Sequence, residues 1–315
     1  MSSRTLEKFL HSHILGSDIE KLVLCIGQIS QRVADLLRSV PVDHAGSSNV
    51  YGDKQLSVDI LADDAIFTGL EESDLVSFAA SEEEPDGKRF HDSSTRPFDV
   101  YFDPLDGSSI ADCNWSVGSI FSVFPSSPTL TGHKGSEQVL AAVVVYGPRT
   151  TITFGLKHAK LVFETTLLKN EWIVTTSSIS VENEAKIFSP ANLRAANDLP
   201  GYKRIIDQWI GQRKTLRYTG GMVPDVVGIL VKGNGIFASP VSENARAKLR
   251  LVFEVAPIAL IMELAGGLAI AARPAGEEPV SVLDIPIESV NDRIGVICGS
   301  QKDVLDCYRS IYQGV

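Results

Sequence analysis

The sequence has few cysteines and no long apolar stretch. Its four cysteines are scattered over 315 residues, and no two of them form a C-x-x-C pair. This argues against a zinc site or a disulfide framework and favours a reducing compartment. No run approaches the roughly 18 apolar residues that cross a bilayer, and the N-terminal residues lack the apolar stretch of a signal peptide. We therefore expect a cytoplasmic protein with no membrane partner.

Positive charge is also scarce. Lys and Arg total 29 against 39 Asp and Glu, which gives a formal net charge of −10 at pH 7. Proteins that bind nucleic acids or anionic membranes present clustered positive charge to phosphates, so the charge balance predicts no nucleic-acid partner. An acidic protein can still bind an anionic substrate if a few Arg or Lys side chains, or a metal ion, supply local positive charge.

The remaining composition is that of an ordinary globular protein, with 44% hydrophobic and 22% charged residues. Apolar residues at helical spacing predict a helix over 18–38 and another from about 59 to 70. From Val100 onward, β-rich segments separated by Gly, Pro and Ser turns indicate an antiparallel or mixed sheet. The second half alternates helices and strands. The fold class is therefore mixed α and β, and we expect two sub-domains, residues 1–187 and 188–315.

The densest chemical signal is the segment DPLDGSS at 103–109, which follows an apolar strand. Its two carboxylates, Asp103 and Asp106, lie three residues apart at a strand end and can converge on one point. The Gly and Ser residues expose backbone N–H groups and hydroxyls that suit a phosphate. Oxygen ligands of this kind suit hard cations such as Mg²⁺ or Mn²⁺. In isolation, such a segment could equally be an Asp-rich turn with Ser caps.

Further acidic residues occur elsewhere in the chain. Glu82 and Glu83 follow an apolar segment, although a Glu run alone is typical of a solvated surface. Glu254 interrupts the apolar run 251–258, where a carboxylate is costly to bury unless it is paired. A metal ion could be that partner, and so could Arg250, four residues earlier.

Five segments together resemble the fructose-bisphosphatase family, in its order and over nearly the whole chain. They are GDKQLSVD at 52–59, SEE at 81–83, DPLDGSS at 103–109, RYTGGM at 217–222 and KLRLVFEVAP at 248–257. Within the family, three segments look more like sedoheptulose-1,7-bisphosphatases than fructose-1,6-bisphosphatases. They are FSPANLR at 188–194, RYTGGMVPD at 217–225 and FEVAP at 253–257. The resemblance implies a layered αβαβα sugar-phosphatase fold.

Carried over residue by residue, the resemblance implies a site for two or three Mg²⁺ ions per subunit, with Mn²⁺ as an alternative. Its metal ligands would be Glu82, Asp103, Asp106, Glu254 and the carbonyl of Leu105. Asp59 and Glu83 would handle the proton of the attacking water. Asp53 would reach a third metal position or hold the loop that closes over the site.

The resemblance also implies which groups hold a sugar bisphosphate. Gly107, Ser108 and Arg250 would hold the phosphate being cleaved, and Lys248 would bind a sugar oxygen. Arg217 would reach across a subunit interface. Asn192, Tyr218 and Met222 would hold the rest of the sugar and its distal phosphate. We also expect substrate contacts from Ser109, Arg194, Gly220 and Gly221.

Electrostatics supports this grouping. Two carboxylates 4 Å apart repel by about 4 kcal/mol at an effective dielectric constant of 20. Seven of them crowded together are tolerable only with divalent cations present or with some members protonated. We therefore expect a site that is poorly ordered without metal. The seven are Asp53, Asp59, Glu82, Glu83, Asp103, Asp106 and Glu254.

The expected reaction is hydrolysis of the C1 phosphate of sedoheptulose 1,7-bisphosphate. Fructose-bisphosphatases usually have a tyrosine where this chain has Ser239, and another where it has Ala195. The smaller side chains would leave room for a seven-carbon sugar, with Arg194 near its distal phosphate, unless these positions are simply repacked. Fructose-1,6-bisphosphatase or dual activity is the alternative, and a non-catalytic sugar-phosphate sensor is a remote one. By resemblance, we expect a homodimer or homotetramer.

Overall fold

The computed structural model describes residues 4–14, 17–41, 44–48, 54–90, 95–272 and 278–314, with backbone alone at 44–48 and 54–56. Within this part of the chain the strands are β1 (Arg4–Thr5), β2 (His44–Ser48), β3 (Lys54–Leu56), β4 (Val76–Ser81), β5 (Lys88–Arg89), β6 (Phe98–Asp106), β7 (Val117–Pro125), β8 (Leu140–Tyr146), β9 (Thr150–Leu156), β10 (Leu161–Leu168), β11 (Glu171–Thr176), β12 (Ile187–Pro190), β13 (Thr215–Leu216), β14 (Ile236–Ser239), β15 (Leu268–Ala272) and β16 (Gly295–Gly299). The helices are α1 (Leu6–Ile14), α2 (Asp18–Ser39), α3 (Ser57–Glu72), α4 (Pro200–Gly211), α5 (Met222–Lys232), α6 (Ala256–Leu264) and α7 (Gln301–Tyr308).

Two main sheets organise the molecule. The nine-stranded sheet has the order β1-β11-β10-β9-β8-β7-β6-β4-β5 and is antiparallel except where β4 runs parallel to β6. The five-stranded sheet has the order β13-β12-β14-β16-β15. In it, β12 runs parallel to both of its neighbours, and the other pairs are antiparallel. The fold is therefore mixed α and β, as the sequence predicted.

The helices lie in layers on the faces of these sheets. Helices α1, α2 and α3 pack against the face of the large sheet to which Val100 and Phe102 point. Helices α5 and α6 pack against the opposite face, with Tyr101. Successive side chains of a strand point to opposite faces, so one strand serves two cores.

The small sheet completes the layering. Phe237 of β14 packs in the same core as α5 and α6. Its neighbours Ile236 and Ala238 face the other way, into a third core with α4 and α7. Helices α5 and α6 thus lie between the two sheets. The order of layers is αβαβα, which confirms the predicted fold.

Local sequence signals account for several element boundaries. Helix α2 begins at Asp18, where the Ser17 hydroxyl oxygen accepts the N–H of Glu20 at 3.2 Å as an N-cap. Lys169 and Asn170 join β10 to β11 with φ of +49° and +64°, the conformation of a tight hairpin turn. None of the helices in the described ranges combines the length and hydropathy needed to cross a membrane.

Candidate active site

Three carboxylates from distant segments meet at one point. Glu82 follows β4, Asp103 lies in β6 and Glu254 lies in a turn before α6, and each offers an oxygen within 4.8 Å of the other two. Asp103 and Glu254 are each only 5% exposed. Burial, reinforced by the neighbouring carboxylates, raises the pKa of both well above the ordinary range. This donor set could hold a hard divalent cation, which would relieve the repulsion. We call these three residues the acidic cluster.

The sheet register brings two of these carboxylates together. Strands β4 and β6 are parallel neighbours, and Ser81 is paired with Phe102. The N–H of Glu82 continues the ladder by donating to the Phe102 carbonyl at 3.1 Å. The carboxyl ends of the two strands therefore present Glu82 and Asp103 at the same edge of the sheet.

The third carboxylate is presented by an unusual turn. Residues Leu251–Val255 form a π-helical turn, a rare geometry that is frequent at functional sites. Within it, the Glu254 carboxylate accepts the backbone N–H of Arg250. Because Phe253 and Val255 on either side are fully buried, the turn fixes Glu254 deep beside the edge of the large sheet.

Arg250 supplies positive charge to the acidic cluster. Its side chain is 1% exposed, and its guanidinium lies 3.0 Å from the Glu82 carboxylate. Arg250 thus relieves part of the repulsion among the three carboxylates, and a divalent cation would relieve the rest. The resemblance implied a phosphate-binding Arg250; the structure places its guanidinium against a carboxylate of the cluster.

Asp106 lies beside the cluster and also contacts α5. Its Oδ2 accepts the N–H of Val223 at 2.7 Å, a favourable contact between a carboxylate and a helix N-terminus. Burial raises the pKa of Asp106 to about 7, and the nearby charge of Glu82 also raises it, although the hydrogen bond from Val223 lowers it. Asp106 therefore connects the DPLDGSS segment to the helix layer between the sheets.

The turn after Asp103 is held by local hydrogen bonds. The N–H of Leu105 donates to the Asp103 carboxylate at 2.9 Å. The Ser119 hydroxyl donates to the Pro104 carbonyl at 2.7 Å. These bonds orient the backbone that carries the predicted Leu105 ligand, and Leu105 lines the cleft in front of the cluster.

Glycine is required at position 107. Gly107 has φ of +82°, a left-handed conformation that side chains other than glycine rarely adopt. A Cβ at this position would make an ordinary van der Waals contact of 3.4 Å with the Cα of Gly221, so the 217–222 segment lies against the Gly-Ser-Ser turn. Ser108 and Ser109 follow in a short 3-10 turn, with Ser108 facing the acidic cleft and Ser109 the neighbouring cavity.

Two adjoining cavities lie over these residues. The acidic cleft, of about 270 Å³, contains the cluster together with Glu83, Gly107 and Ser108. The second, which we call the sugar cavity, measures about 360 Å³. The walls shared by both are Asp106, Lys248 and Leu249. The sugar cavity brings together most of the predicted substrate residues: Ser109, Asn192, Arg194, Tyr218, Gly220, Gly221 and Met222.

Other predicted residues lie elsewhere. Arg217 is exposed and is not among the described residues that line the sugar cavity. Asp59 is buried in the first turn of α3 and does not line the acidic cleft in the described part of the chain. Asp53 lies outside the described residues. Of the two positions expected to widen the cavity, Ser239 lines it, whereas Ala195 is fully buried in the third core.

Asn192 joins two loops at the sugar cavity. Its backbone is left-handed, with φ of +46°, a conformation that asparagine tolerates better than most residues. Its side-chain amide donates to the carbonyls of Pro240 and Ala245 at 2.7 and 3.0 Å. The loop after β12 is thereby tied to the loop after β14.

The sequence reasoning missed several residues of the site. Arg246 and Asp225 line the sugar cavity, and Arg293 lines the acidic cleft. Asp225 accepts the N–H of Thr219 at 2.9 Å, and burial raises its pKa to about 6. Arg246 precedes Lys248 by two residues, and this spacing, which places both side chains on one side of an extended chain, was the signal that could have identified it.

A buried carboxylate cluster beside a Gly-Ser-Ser turn and a basic cavity is a site for phosphate-ester hydrolysis. Residues 5–177 match the family model described as fructose-1-6-bisphosphatase, N-terminal domain, and residues 181–312 match the corresponding C-terminal domain. The chain belongs to the fructose-1,6-bisphosphatase family. It is a phosphatase that hydrolyses phosphate monoesters, and its family is metal-dependent.

Relatives of both substrate types are similar to this chain. The chloroplastic sedoheptulose-1,7-bisphosphatase of Spinacia oleracea is 40% identical over 309 residues, which cover 98% of this chain and 78% of that protein. The class 1 fructose-1,6-bisphosphatase of Syntrophotalea carbinolica is 34% identical over 304 residues, 95% of this chain and 91% of that protein.

Solved structures named as either kind of bisphosphatase are also similar to this chain. A Toxoplasma gondii crystal structure, provisionally assigned as a sedoheptulose-1,7 bisphosphatase, has a TM-score of 0.89 at 37% identity and covers 98% of both chains. The holo form of Leishmania major fructose-1,6-bisphosphatase has a TM-score of 0.88 at 29% identity, covering 98% of this chain and 99% of that one.

Proposed function

We propose that this enzyme hydrolyses the C1 phosphate of sedoheptulose 1,7-bisphosphate, giving sedoheptulose 7-phosphate and inorganic phosphate. The observation that carries the proposal is Ser239, a small side chain that lines the sugar cavity at a position where fructose-bisphosphatases usually have a tyrosine. The missing ring leaves space for a longer sugar. The similarity to a plant sedoheptulose-1,7-bisphosphatase supports the same substrate.

The acidic cluster and its neighbours would hold two or three Mg²⁺ ions, with Mn²⁺ as an alternative. The ligands in this proposal are Glu82, Asp103, Leu105, Asp106 and Glu254. Their fit to hard cations is supported by the shared oxygen geometry and by the repulsion that raises their pKa values. Divalent cations at such a site lower the pKa of bound water and neutralise charge on the phosphoryl group and the leaving alkoxide.

The protein residues supply positions and proton acceptors in this mechanism. Glu83, which lines the acidic cleft, takes the proton of the attacking water. Asp59, predicted to share this role, does not line the cleft in the described part of the chain. The backbone N–H groups of Gly107 and Ser108 hold the phosphoryl group in line with that water. Lys248, at the junction of the two cavities, binds a sugar oxygen. Water attacks phosphorus directly, so no phosphoenzyme forms.

The substrate proposal is tested by phosphate release with two substrates. Purified enzyme with Mg²⁺ is assayed on sedoheptulose 1,7-bisphosphate and fructose 1,6-bisphosphate, and kcat/KM is compared. We expect a higher value for the seven-carbon substrate, with residual activity on the six-carbon one. A preference for fructose 1,6-bisphosphate would overturn the proposal. The Asp103→Asn variant serves as the inactive control for contaminating phosphatase.

Arg217 suggests how subunits would associate. We propose a homodimer or homotetramer in which Arg217 contacts the partner's sugar cavity. Arg217 is exposed next to the edge strand β13, and its neighbours Leu216 and Tyr218 are also exposed. The cytoplasmic location and the division into sub-domains at residues 187 and 188 are further proposals, the latter supported by the two separate sheets.

A further inference from the structure

We propose that Arg246 binds the distal phosphate of the substrate, together with Arg194, and thereby selects sugar bisphosphates whose second phosphate lies far from the cleaved one. This inference rests on the proposed function for the length of the sugar. Both arginines lie in the wall of the sugar cavity and do not line the acidic cleft. The resemblance to the family identified Arg194 but not Arg246.

The cavity geometry separates a catalytic end from a distal end. Asp106, Lys248 and Leu249 line both the acidic cleft and the sugar cavity, so they mark where the two join. Arg194 and Arg246 line the sugar cavity alone. A substrate with its C1 phosphate in the acidic cleft would therefore extend past Lys248 toward these two arginines.

The distal end of the cavity is rich in arginine. Within the described part of the chain, neither Arg194 nor Arg246 forms an ion pair, whereas arginines such as Arg32 and Arg96 do. With Lys248, they give the sugar cavity three cationic side chains against two carboxylates, Asp106 and Asp225. Such an arrangement favours a dianionic phosphate, to which guanidinium groups donate paired hydrogen bonds.

The two arginines are carried by loops that are bound to each other. The Asn192 amide donates to the carbonyl of Ala245, the residue directly before Arg246, at 3.0 Å. On the far side of Arg194, the Asp198 carboxylate accepts the Ser242 hydroxyl at 2.6 Å. These bonds hold the loops in a fixed relation. Joint binding by the two arginines would therefore not carry the cost of ordering two independent loops.

The test compares substrates with and without a distal phosphate. The Arg246→Gln variant is assayed on sedoheptulose 1,7-bisphosphate, fructose 1,6-bisphosphate and fructose 1-phosphate, and Arg246→Lys tests whether charge alone suffices. Lys203→Gln, which removes one exposed positive charge on α4 away from the cavity, is the matched control.

For Arg246→Gln we expect KM for the seven-carbon bisphosphate to rise by about tenfold to a hundredfold, as for the loss of a charged hydrogen bond. We expect kcat to change by less than about threefold, because the reacting atoms are not touched. Fructose 1-phosphate should be hydrolysed by the variant as by the wild type. Arg246→Lys should restore part of the affinity, and Lys203→Gln should change nothing.

An unchanged KM for the bisphosphate, or an equal loss on fructose 1-phosphate, would overturn the role of Arg246. Calorimetric binding of sedoheptulose 7-phosphate and of inorganic phosphate gives a readout without turnover; only the first should weaken in Arg246→Gln. If the wild type prefers fructose 1,6-bisphosphate, the proposed substrate fails. Arg246 is then judged by whether its loss raises KM for that bisphosphate but not for fructose 1-phosphate.

Discussion

The guanidinium of Arg250 lies 3.0 Å from the carboxylate of Glu82, with the arginine almost completely buried. The backbone N–H of the same residue donates to Glu254. Arg250 thus contacts two of the three carboxylates of the acidic cluster, one through its side chain and one through its backbone. It stabilises the cluster before any cation or substrate is bound.

Replacing Arg250 by methionine should destabilise the protein, because Glu82 would keep its charge and lose its partner. Removal of one member of a buried ion pair typically costs 3–5 kcal/mol, and we expect about 3 kcal/mol because Glu82 is partly exposed. The free energy of unfolding in urea measures this. The double variant Arg250→Met with Glu82→Gln should recover much of the loss. Equal stability of the single variant and the wild type would contradict this reading of the pair.

Magnesium should stabilise the protein through the acidic cluster. A ligand that binds only the folded state adds about 2.7 kcal/mol at a concentration 100 times its Kd, so Tm should rise with added Mg²⁺ and fall again with chelator. In Glu254→Gln, one source of repulsion is removed while an oxygen remains to accept the Arg250 N–H. This variant should have a higher Tm than the wild type without metal, a much smaller response to Mg²⁺, and a kcat lower by orders of magnitude. A wild-type Tm that is independent of Mg²⁺ would argue against the metal site.

Asp63 should make the protein less stable as the pH rises. Burial on α3 raises its pKa from 3.8 to about 7, although the Ser81 hydroxyl donates to it. The unfolded chain therefore releases this proton at lower pH than the folded protein. The stability associated with the protonated group is complete below about pH 4, declines as the pH rises and is lost above about pH 7.

The Asp63→Asn variant keeps an oxygen for Ser81 but cannot ionise. Its unfolding free energy minus that of the wild type should grow steadily between about pH 4 and pH 7 and then level off. Asp64→Asn, at an exposed position on the same helix, is the matched control for removal of one carboxylate from α3. Chemical denaturation across this pH range provides the measurement, and parallel curves for Asp63→Asn and the wild type would contradict the prediction.

Ser239→Tyr should shift the substrate preference toward the six-carbon sugar. The new ring would occupy part of the sugar cavity, which Ser239 lines, and steric exclusion in a pocket is commonly worth about tenfold to a hundredfold in kcat/KM. We expect that loss for sedoheptulose 1,7-bisphosphate and a smaller loss, or none, for fructose 1,6-bisphosphate. Circular dichroism and Tm establish that the fold is retained. Equal losses on both substrates would show that the position does not select sugar length.

Much of the local structure could be predicted from the sequence, because it depends on nearby residues. The apolar spacing predicted a helix over 18–38, and α2 spans Asp18–Ser39, so both of its ends were located within a residue. The chemical character of the site was also present in the sequence, since the DPLDGSS segment combines two carboxylates with a glycine-serine turn directly after an apolar strand.

The tertiary structure alone decided which of these groups meet. Glu254 joins Asp103 and Glu82 because a π-helical turn delivers it to the edge where parallel β4 and β6 end. Ala195, expected beside the sugar, is instead buried in the third core, and Arg246, which was not predicted as a site residue, lines the sugar cavity. Chain spacing determines local geometry, whereas contacts between distant segments depend on how the layers pack, which no single segment encodes.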